Sequence, residues 1–206
     1  MYIPKHFYND DRQSVLNFMQ KFNFATLVTS ENGRPIATHL PFVIDVIDDK
    51  IILSTHLSKV NPQVKQLNGE VLVIFQEPHA YISPSLYAHE KNVPTWNYVA
   101  VHCYGKSSLQ PEDSHMSRME KFINAFEPGF LDQWERLPTN YKEGLFKGIK
   151  VIDIEVTDLQ AKEKLSQNKT LDERMHITEN LRQQSDTTKS DLADLMEQRI
   201  KRDITK

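Results

Sequence analysis

Cysteine and glycine are scarce in this 206-residue chain, and several motifs that depend on them are missing. Cys103 is the single cysteine, which excludes an internal disulfide framework and a zinc site built from several cysteines. The six glycines are scattered, and the sequence contains no GxxxxGK[ST], GxGxxG or GxSxG. Apolar runs such as Val71–Phe75 are far too short to span a bilayer. Phosphate-loop, dinucleotide-loop and hydrolase-elbow chemistry are therefore excluded.

The charge balance points away from a polyanionic partner. Twenty-five Lys and Arg against 28 Asp and Glu give a net charge of −3, which argues against a strongly basic nucleic-acid binder or a polybasic membrane-surface protein. The first ten residues lack the apolar stretch of a signal peptide, so we expect a cytoplasmic protein with no membrane partner. His39, His56 and His102 lie on separate predicted strands, and we expect no metal site.

Composition changes near residue 160. Residues 160–206 hold 10 Lys or Arg and 9 Asp or Glu in 47 positions, with no Gly, Pro, Phe, Tyr or Trp. Such a segment is typical of charged helices, whereas the preceding part has β-branched and aromatic runs separated by turn residues. The sequence predicts one β-rich domain over residues 1–160 and a C-terminal helical extension over residues 161–206.

Hydrophobic periodicity and turn signals predict a mainly β fold with peripheral helices. Asn32-Gly33 and Asp48-Asp49 favour tight hairpin turns. Helices are predicted over 11–22, 111–126 and 170–183, with Ser190 capping a last one. Because the strands follow one another with short connections, we expect an antiparallel barrel rather than a doubly wound sheet. The predicted strands are Ala25–Thr29, Pro35–Asp45, Lys50–Thr55, Val71–Gln76, Ala80–Ser83, Trp96–Gly105 and Lys150–Val156.

A polar turn after the third predicted strand could hold an anion. Asn61 is a strong helix cap and Pro62 is suited to a first helical turn, so free N–H groups would face Ser58 and Lys59. A hydroxyl, an ammonium group and a helix start would together suit a phosphate. The alternative is a solvated lysine before an ordinary capped helix.

Aromatic and small polar residues are concentrated in two later segments. Tyr81, Trp96 and Tyr98 offer flat apolar faces with a polar group, which suit a planar heterocycle. They could equally close the rim of a barrel. A polar strand, an anion seat and an aromatic wall are nevertheless the parts that a flavin mononucleotide needs.

At these segments the chain resembles the PaiB family of flavin-binding negative transcriptional regulators, which have an FMN-binding split-barrel fold. Thr55, Lys59, Val64 and Leu86 depart from the family pattern, which usually has Gly, Arg, Trp and Trp there. The resemblance is carried, in order, by Met1–Phe7, Ala37–Pro41, His56 with Asn61–Gln63, Tyr81–Ser85, Pro94–Val101 with Tyr104-Gly105, and Lys164–Asn168.

The resemblance implies an antiparallel split β-barrel that forms a homodimer and binds FMN in clefts at the subunit interface. Transferred to this chain, the cofactor-binding residues are those that bind the phosphate, lie along the edge of the isoalloxazine ring or line the cleft. They are Ser58, Lys59, His56 and Asn61 for the phosphate, Thr38, His39 and Leu40 for the isoalloxazine edge, and Trp96, Asn97 and Tyr98 for the cleft. Lys164–Asn168 would cover the cleft or brace the last strand.

Three functions agree with this sequence. The first is a flavin-binding regulator, for which direct DNA contact is unsupported by charge or motif. The second is an FMN-dependent oxidoreductase, in which the flavin carries the redox chemistry; a variant of it would take haem or another planar ligand. The third is a dimer without enzymatic activity whose cleft binds no particular ligand. The catalytic residues, if any, are not identified by the sequence.

Overall fold

The computed structural model describes residues 1–67 and 69–205, and the chain divides into two compact units. Unit 1 comprises Met1–Val15, Gln76–Val101 and Gln160–Lys206, and unit 2 comprises Leu16–Phe75 and His102–Leu159. Each unit therefore draws on distant parts of the sequence. The boundary near residue 160 that composition suggests stays a prediction.

Eight antiparallel strands form the sheet in the described part of the chain. The path runs β2-β1-β5-β7-β8-β4-β3, and β6 pairs with β7 off this path. β2 and β3 end the path without pairing to each other, so the sheet is open. The strands are β1 Phe24–Glu31, β2 Arg34–Pro41, β3 Val43–Ile47, β4 Lys50–Ser58, β5 Glu70–Phe75, β6 His79–Ile82, β7 Thr95–Leu109 and β8 Ile149–Lys164.

Two tight turns fix the register in unit 2. Asn32 and Gly33 have φ angles of 51° and 77°, and they join β1 to β2 so that Val28 pairs with Ala37. Asp48 and Asp49 have φ angles of 48° and 65° and join β3 to β4. Positive φ at both central residues matches the twist of the flanking strands, so both predicted hairpins are confirmed.

The single strand predicted over Pro35–Asp45 is wrong. Phe42 interrupts it: the side chain of Phe42 is fully buried, and its backbone N–H donates to the carbonyl of Asn23 at 2.8 Å. The segment therefore forms β2 and β3, which lie at opposite ends of the sheet path. The predicted total of seven strands becomes eight for the same reason.

The core of unit 2 is built from alternating apolar side chains of its strands. Gly105 on β7 is needed for close packing, because a Cβ there would lie 2.5 Å from the carbonyl oxygen of Glu155 on β8. The side chains that are completely buried include Leu27, Phe42, Leu53, Val73, Phe75, Ile152 and Ile154.

Helices α2 His115–Phe126, α3 Leu131–Arg136 and α4 Thr139–Phe146 belong to unit 2. Phe122 of α2 packs against Val43 and Val151, as the apolar stripe of the predicted helix over 111–126 requires. α3 and α4 were absent from the sequence prediction, because each is too short to show helical periodicity clearly.

Unit 1 contains β6, the first part of β7, the end of β8, and helices α5 Leu171–Arg182 and α6 Thr187–Ile204. Thr170 and Glu173 form the predicted capping box at the start of α5. The cap of α6 is Asp186, which accepts from the N–H of Thr188, and the prediction that Ser190 caps this helix is wrong. α1, at Arg12–Lys21, spans the boundary between the two units. In the described part of the chain no helix is both long enough and apolar enough to cross a membrane.

Candidate functional site

The proposed phosphate seat, by which we mean Ser58 and Lys59, lies in unit 2 at the end of β4. Ser58 and Lys59 are exposed, and their side chains form no hydrogen bond or close ion pair among the described residues, while the charge of Lys59 acts on Glu112 from a distance. The backbone N–H of Lys59 donates to the carbonyl of Gly148 at 2.9 Å, which fixes the chain at this point. Lys150 faces Leu57 across the β4–β8 pair, so a second ammonium group lies near the seat.

Glu112 moderates the positive charge at this seat. Its carboxylate lies 2.9 Å from the Lys150 Nζ atom, and that hydrogen bond, with the charges of Lys150 and Lys59, lowers the pKa of Glu112. Lys150 is therefore already paired, whereas Lys59 is the lysine whose ammonium group remains open to a ligand. The sequence missed Lys150 because only the strand register brings it beside Ser58.

The expected helix after Asn61 is a 3₁₀ helix of five residues, Pro62–Gln66. Asn61 does cap it, and its Oδ1 atom accepts from the N–H of Gln63 at 2.9 Å. So short a helix has only a small dipole, and one of its free donors is already used. The helix start expected after Asn61 is thus present in a shorter form, and its part in binding the phosphate, like that of Ser58 and Lys59, stays a prediction.

Thr38 and Asn61 are tied to a buried glutamine. The Thr38 hydroxyl donates to the Gln63 Oε1 atom and accepts from the Asn61 Nδ2 atom at 3.1 Å. The Nε2 atom of Gln63 donates to the Ile36 carbonyl at 3.0 Å and the Thr29 hydroxyl at 3.1 Å. These hydrogen bonds attach β2 to the 3₁₀ helix and fix the position of Thr38. Thr38 and Asn61 therefore act here as a brace between the strand and the helix.

His39 and Leu40 lie on β2, which is an end strand of the sheet. His39 is exposed and Leu40 is half-buried. An end strand leaves one row of backbone N–H and C=O groups unpaired, and such a row can pair with the polar edge of a flat heterocycle. The hydroxyl of Thr55, which stands where the family usually has Gly, donates to the carbonyl of Pro41 at 2.6 Å and is thereby satisfied within the sheet.

His56 turns towards α2. Its ring lies 5.4 Å from that of Phe122 in an edge-on arrangement, and its Nδ1 atom is buried without a partner in the described part of the chain. Burial lowers the pKa of His56, so the imidazole is neutral near pH 7. His56 adds no positive charge to the phosphate seat.

The three cleft residues of unit 1 alternate along β7. Trp96 is 53% exposed, faces Tyr81 across the β6–β7 pair, and its ring centroid lies 6.0 Å from that of Tyr81. Tyr98 is half-buried beneath the ammonium group of Lys162, which lies 5.2 Å from the ring centroid. Asn97 points the other way, is fully buried, and exchanges hydrogen bonds with Ser166 at 2.9 and 3.2 Å. Trp96 and Tyr98 therefore present aromatic faces, and Asn97 anchors the strand behind them.

A cavity of about 180 Å³ lies within unit 1, and we call it the lysine pocket. Lys164 and Lys169 line it, together with Phe7, Tyr87, Asn168 and residues between 92 and 97. The Nζ atom of Lys164 donates to the carbonyl of Trp96 at 2.6 Å and to the Thr95 hydroxyl. The sequence singled out Lys164–Asn168 as a cover or brace and missed Lys169 and Tyr87, which no short motif marks.

Each unit, taken by itself, holds groups that suit one part of FMN. In unit 2 an open hydroxyl and ammonium group at Ser58 and Lys59 suit a phosphate. In unit 1 the exposed ring of Trp96 and the half-buried ring of Tyr98 suit a planar ring system. The antiparallel split-barrel sheet with this donor set defines the class of flavin-binding split-barrel proteins.

The chain belongs to the family described as “Putative FMN-binding domain”, which matches residues 1–158, and within it to the PaiB family. It is 40% identical over 208 residues to “Protease synthase and sporulation protein PAI 2” of Bacillus subtilis strain 168, covering 99% of this chain and all of that protein. The resemblance to the PaiB family is thus confirmed, and the protein is a flavin-binding, PaiB-like protein.

Solved structures confirm the fold. The flavocytochrome Anf3 from Azotobacter vinelandii is similar with a TM-score of 0.62 and 18% identity, covering 79% of this chain and 72% of that one. The FAD and heme binding protein from Mycobacterium smegmatis is similar with a TM-score of 0.60 and 15% identity, covering 81% and 78%. At these identities the similarity concerns the fold alone, and it confirms a mainly β split barrel with helices.

Proposed function

We propose that the protein binds FMN with the phosphate at Ser58 and Lys59. The observation that carries this proposal is the open ammonium group of Lys59, fixed at the end of β4 by the bond from its backbone to Gly148. A charge-assisted contact to phosphate requires a cation that is not already paired, and Lys59 meets that condition. Asn61 acts indirectly, by capping the 3₁₀ helix that braces β2.

The isoalloxazine ring is proposed to lie along β2 at Thr38, His39 and Leu40. Thr38 is held by Gln63, so the strand edge is fixed before the ligand arrives, which lowers the entropic cost of binding. His56, on β4, turns its ring towards Phe122 of α2 and stays neutral. Bound flavin would supply electron transfer, while this chain orients it.

The wall of the flavin cleft is assigned to Trp96, Asn97 and Tyr98. Trp96 and Tyr98 supply aromatic contact area, and the buried bonds between Asn97 and Ser166 keep β7 in place. We further propose a homodimer with FMN at its interface. The unpaired edge of β2 and the exposed rings of Tyr81 and Trp96 support an interface, because both features are covered in stable assemblies.

At the level of the cell, we propose a regulatory role. The 40% identity to a protein named for protease synthesis and sporulation supports this role. The net charge of −3 favours control through flavin or a protein partner over direct reading of DNA. If a nicotinamide cofactor reduced the bound flavin in steady-state turnover, an oxidoreductase would replace this proposal.

Titration of flavin-free protein with FMN, followed by flavin fluorescence, tests the phosphate seat. Lys59→Gln should weaken FMN binding by about tenfold or more, because a hydrogen bond to a charged group contributes about 1.5–3 kcal/mol. Lys65→Gln is the matched control, since Lys65 is exposed on the neighbouring 3₁₀ helix. Equal FMN affinity in both variants would contradict the assignment of Lys59. A size-exclusion mass on the same samples tests the dimer.

A further inference from the structure

The lysine pocket in unit 1 has two lysines in its lining, and Glu173, whose pKa the charge of Lys169 helps to lower, lies outside that lining. Lys164 and Lys169 both line it, and among the described residues no Asp or Glu does. The ammonium group of Lys164 donates only to neutral oxygens, those of Thr95 and Trp96. Lys169 likewise donates to the Asn92 side chain and lies 4.0 Å from the ring centroid of Tyr87.

Both lysines retain donors for a ligand. An ammonium group has three N–H donors and no acceptor, and Lys164 uses two of its three within the protein. Burial and the charge of Lys162 lower the pKa of Lys164, as expected for a cation without a carboxylate partner. The side chain of Asn168, at the same pocket, has no hydrogen bond in the described part of the chain. The pocket therefore offers donors from two cations and an amide.

The volume of the pocket limits the ligand. At about 180 Å³ it is smaller than the roughly 300–1,000 Å³ of sites for drug-sized molecules, and it holds the equivalent of about six waters. An isoalloxazine ring with its ribityl chain is too large for it. A compact dianion is not, and it would complete the hydrogen bonding of both ammonium groups.

We propose that the lysine pocket is a binding site for a small dianion, either a phosphate group or a short dicarboxylate, held by Lys164 and Lys169. Its floor is rigid, because Ser166, with φ of 61°, is locked by Asn97 and accepts the backbone N–H of Lys169 at 3.0 Å through its carbonyl. This site is additional to the FMN seat at Lys59 and does not depend on it.

Calorimetric titration of flavin-free protein with inorganic phosphate, and separately with succinate, tests the proposal at constant ionic strength set with chloride. We expect saturable binding of at least one probe, and the tighter one identifies the source of the dianion. Lys164→Gln and Lys169→Gln should each weaken that binding at least tenfold. Lys189→Gln is the control, because Lys189 is a half-buried lysine of the same unit outside the pocket, and probe affinity in that variant should stay within twofold.

Absence of saturable binding of both probes, or equal losses in all three variants, would overturn the proposal. A second measurement needs no variant: amine acylation of the wild-type protein, followed by mass spectrometry, should show Lys164 and Lys169 protected by the bound probe and Lys189 unprotected. Unchanged acylation of Lys164 and Lys169 would also overturn it.

Repeating the titration on FMN-saturated protein separates the two sites. We expect the probe to bind FMN-saturated protein with unchanged affinity. If FMN abolished probe binding, the pocket would belong to the cofactor and the proposal of a separate site would fail. If Lys59→Gln instead left FMN affinity unchanged, the phosphate seat would fail and the lysine pocket would be unaffected.

Discussion

Each unit buries one polar side chain that joins several segments of the chain, but the two side chains differ in charge. In unit 1 this side chain is Glu163, which is 4% exposed. Both of its carboxylate oxygens accept from Arg202 at 3.0 Å, and the carboxylate also accepts from Arg199 and Asn9. In unit 2 the fully buried amide of Gln63 bonds to Thr29, the Ile36 carbonyl and Thr38.

This difference shows two ways in which a buried polar side chain can join several segments of the chain, an arrangement that we call a junction. A buried amide needs only its hydrogen bonds, whereas a buried carboxylate needs cations as well, and loss of one member leaves charge without a counter-ion. Unit 1 therefore has the stiffer junction and the greater penalty when it is broken. Unit 2, next to the phosphate seat, relies on neutral groups, which leave Lys59 free for a ligand.

Substitution of Glu163 should have the largest effect. Glu163→Gln should lower the free energy of unfolding by about 3 kcal/mol, the lower end for breaking a buried ion pair, because Arg199 and Arg202 keep Asp203 and Asp11 as second partners. Urea denaturation measures this. The control is Glu155→Gln, which removes the exposed pair with Lys50 and should cost about 0–1 kcal/mol. Equal losses in the two variants would remove the distinction between the units.

Loss of the amide in unit 2 should have an intermediate effect. Gln63→Met keeps the side-chain length but removes the hydrogen bonds to Thr29, Thr38 and the Ile36 carbonyl, so we expect a loss of about 1–3 kcal/mol. Gln66→Met on the same 3₁₀ helix serves as control and should stay within about 0.5 kcal/mol of wild type. A loss above that of Glu163→Gln would reverse the comparison.

His56, a half-buried neutral group of unit 2, should give the smallest effect. Because burial lowers its pKa in the folded state, the unfolded chain takes up a proton first as the pH falls through about 6.5. Stability from neutral His56 is present above that pH and is lost below it, and His56→Leu should flatten the pH dependence of the unfolding free energy between pH 7.5 and 5.5.

An NMR titration of the His56 ring in the flavin-free protein checks the cause directly. The midpoint should lie below 6.5. A midpoint at or above 6.5, or an unchanged pH slope in His56→Leu, would contradict the prediction.

Much of the fold was predictable, because local signals determine it. Asn32-Gly33 and Asp48-Asp49 fixed both hairpins, and Thr170 with Glu173 marked the start of α5. The end of β8 was not predicted beyond Val156, because the residues that follow include Asp158 and charged residues of low strand propensity, which tertiary pairing overrides. The break at Phe42 is not predicted for a similar reason, because the burial of the Phe42 side chain depends on distant residues.

The candidate site was only partly predictable. Ser58 and Lys59 stand out by their position between a strand and a capped turn; both are exposed in the structure, and their role in binding phosphate stays a prediction. The role of Gln63 as a brace and the nearness of Lys150 depend on register, which spacing along the chain does not encode. Lys169 was missed because it meets Lys164 through the turn at Ser166, whose positive φ angle is unusual for a serine.

The division of the chain has a consequence for synthesis on the ribosome. Unit 1 needs Met1–Val15 as well as residues from Gln160 onward, so Asn9 is made long before its partners Glu163 and Arg202. At about 5–20 residues per second, roughly 10–40 seconds separate the first segment from the last. Throughout that interval Phe7 and Val15, which are buried in the finished protein, have no completed core to enter. The segment that holds Phe7 and Val15 therefore waits for its packing partners through most of synthesis.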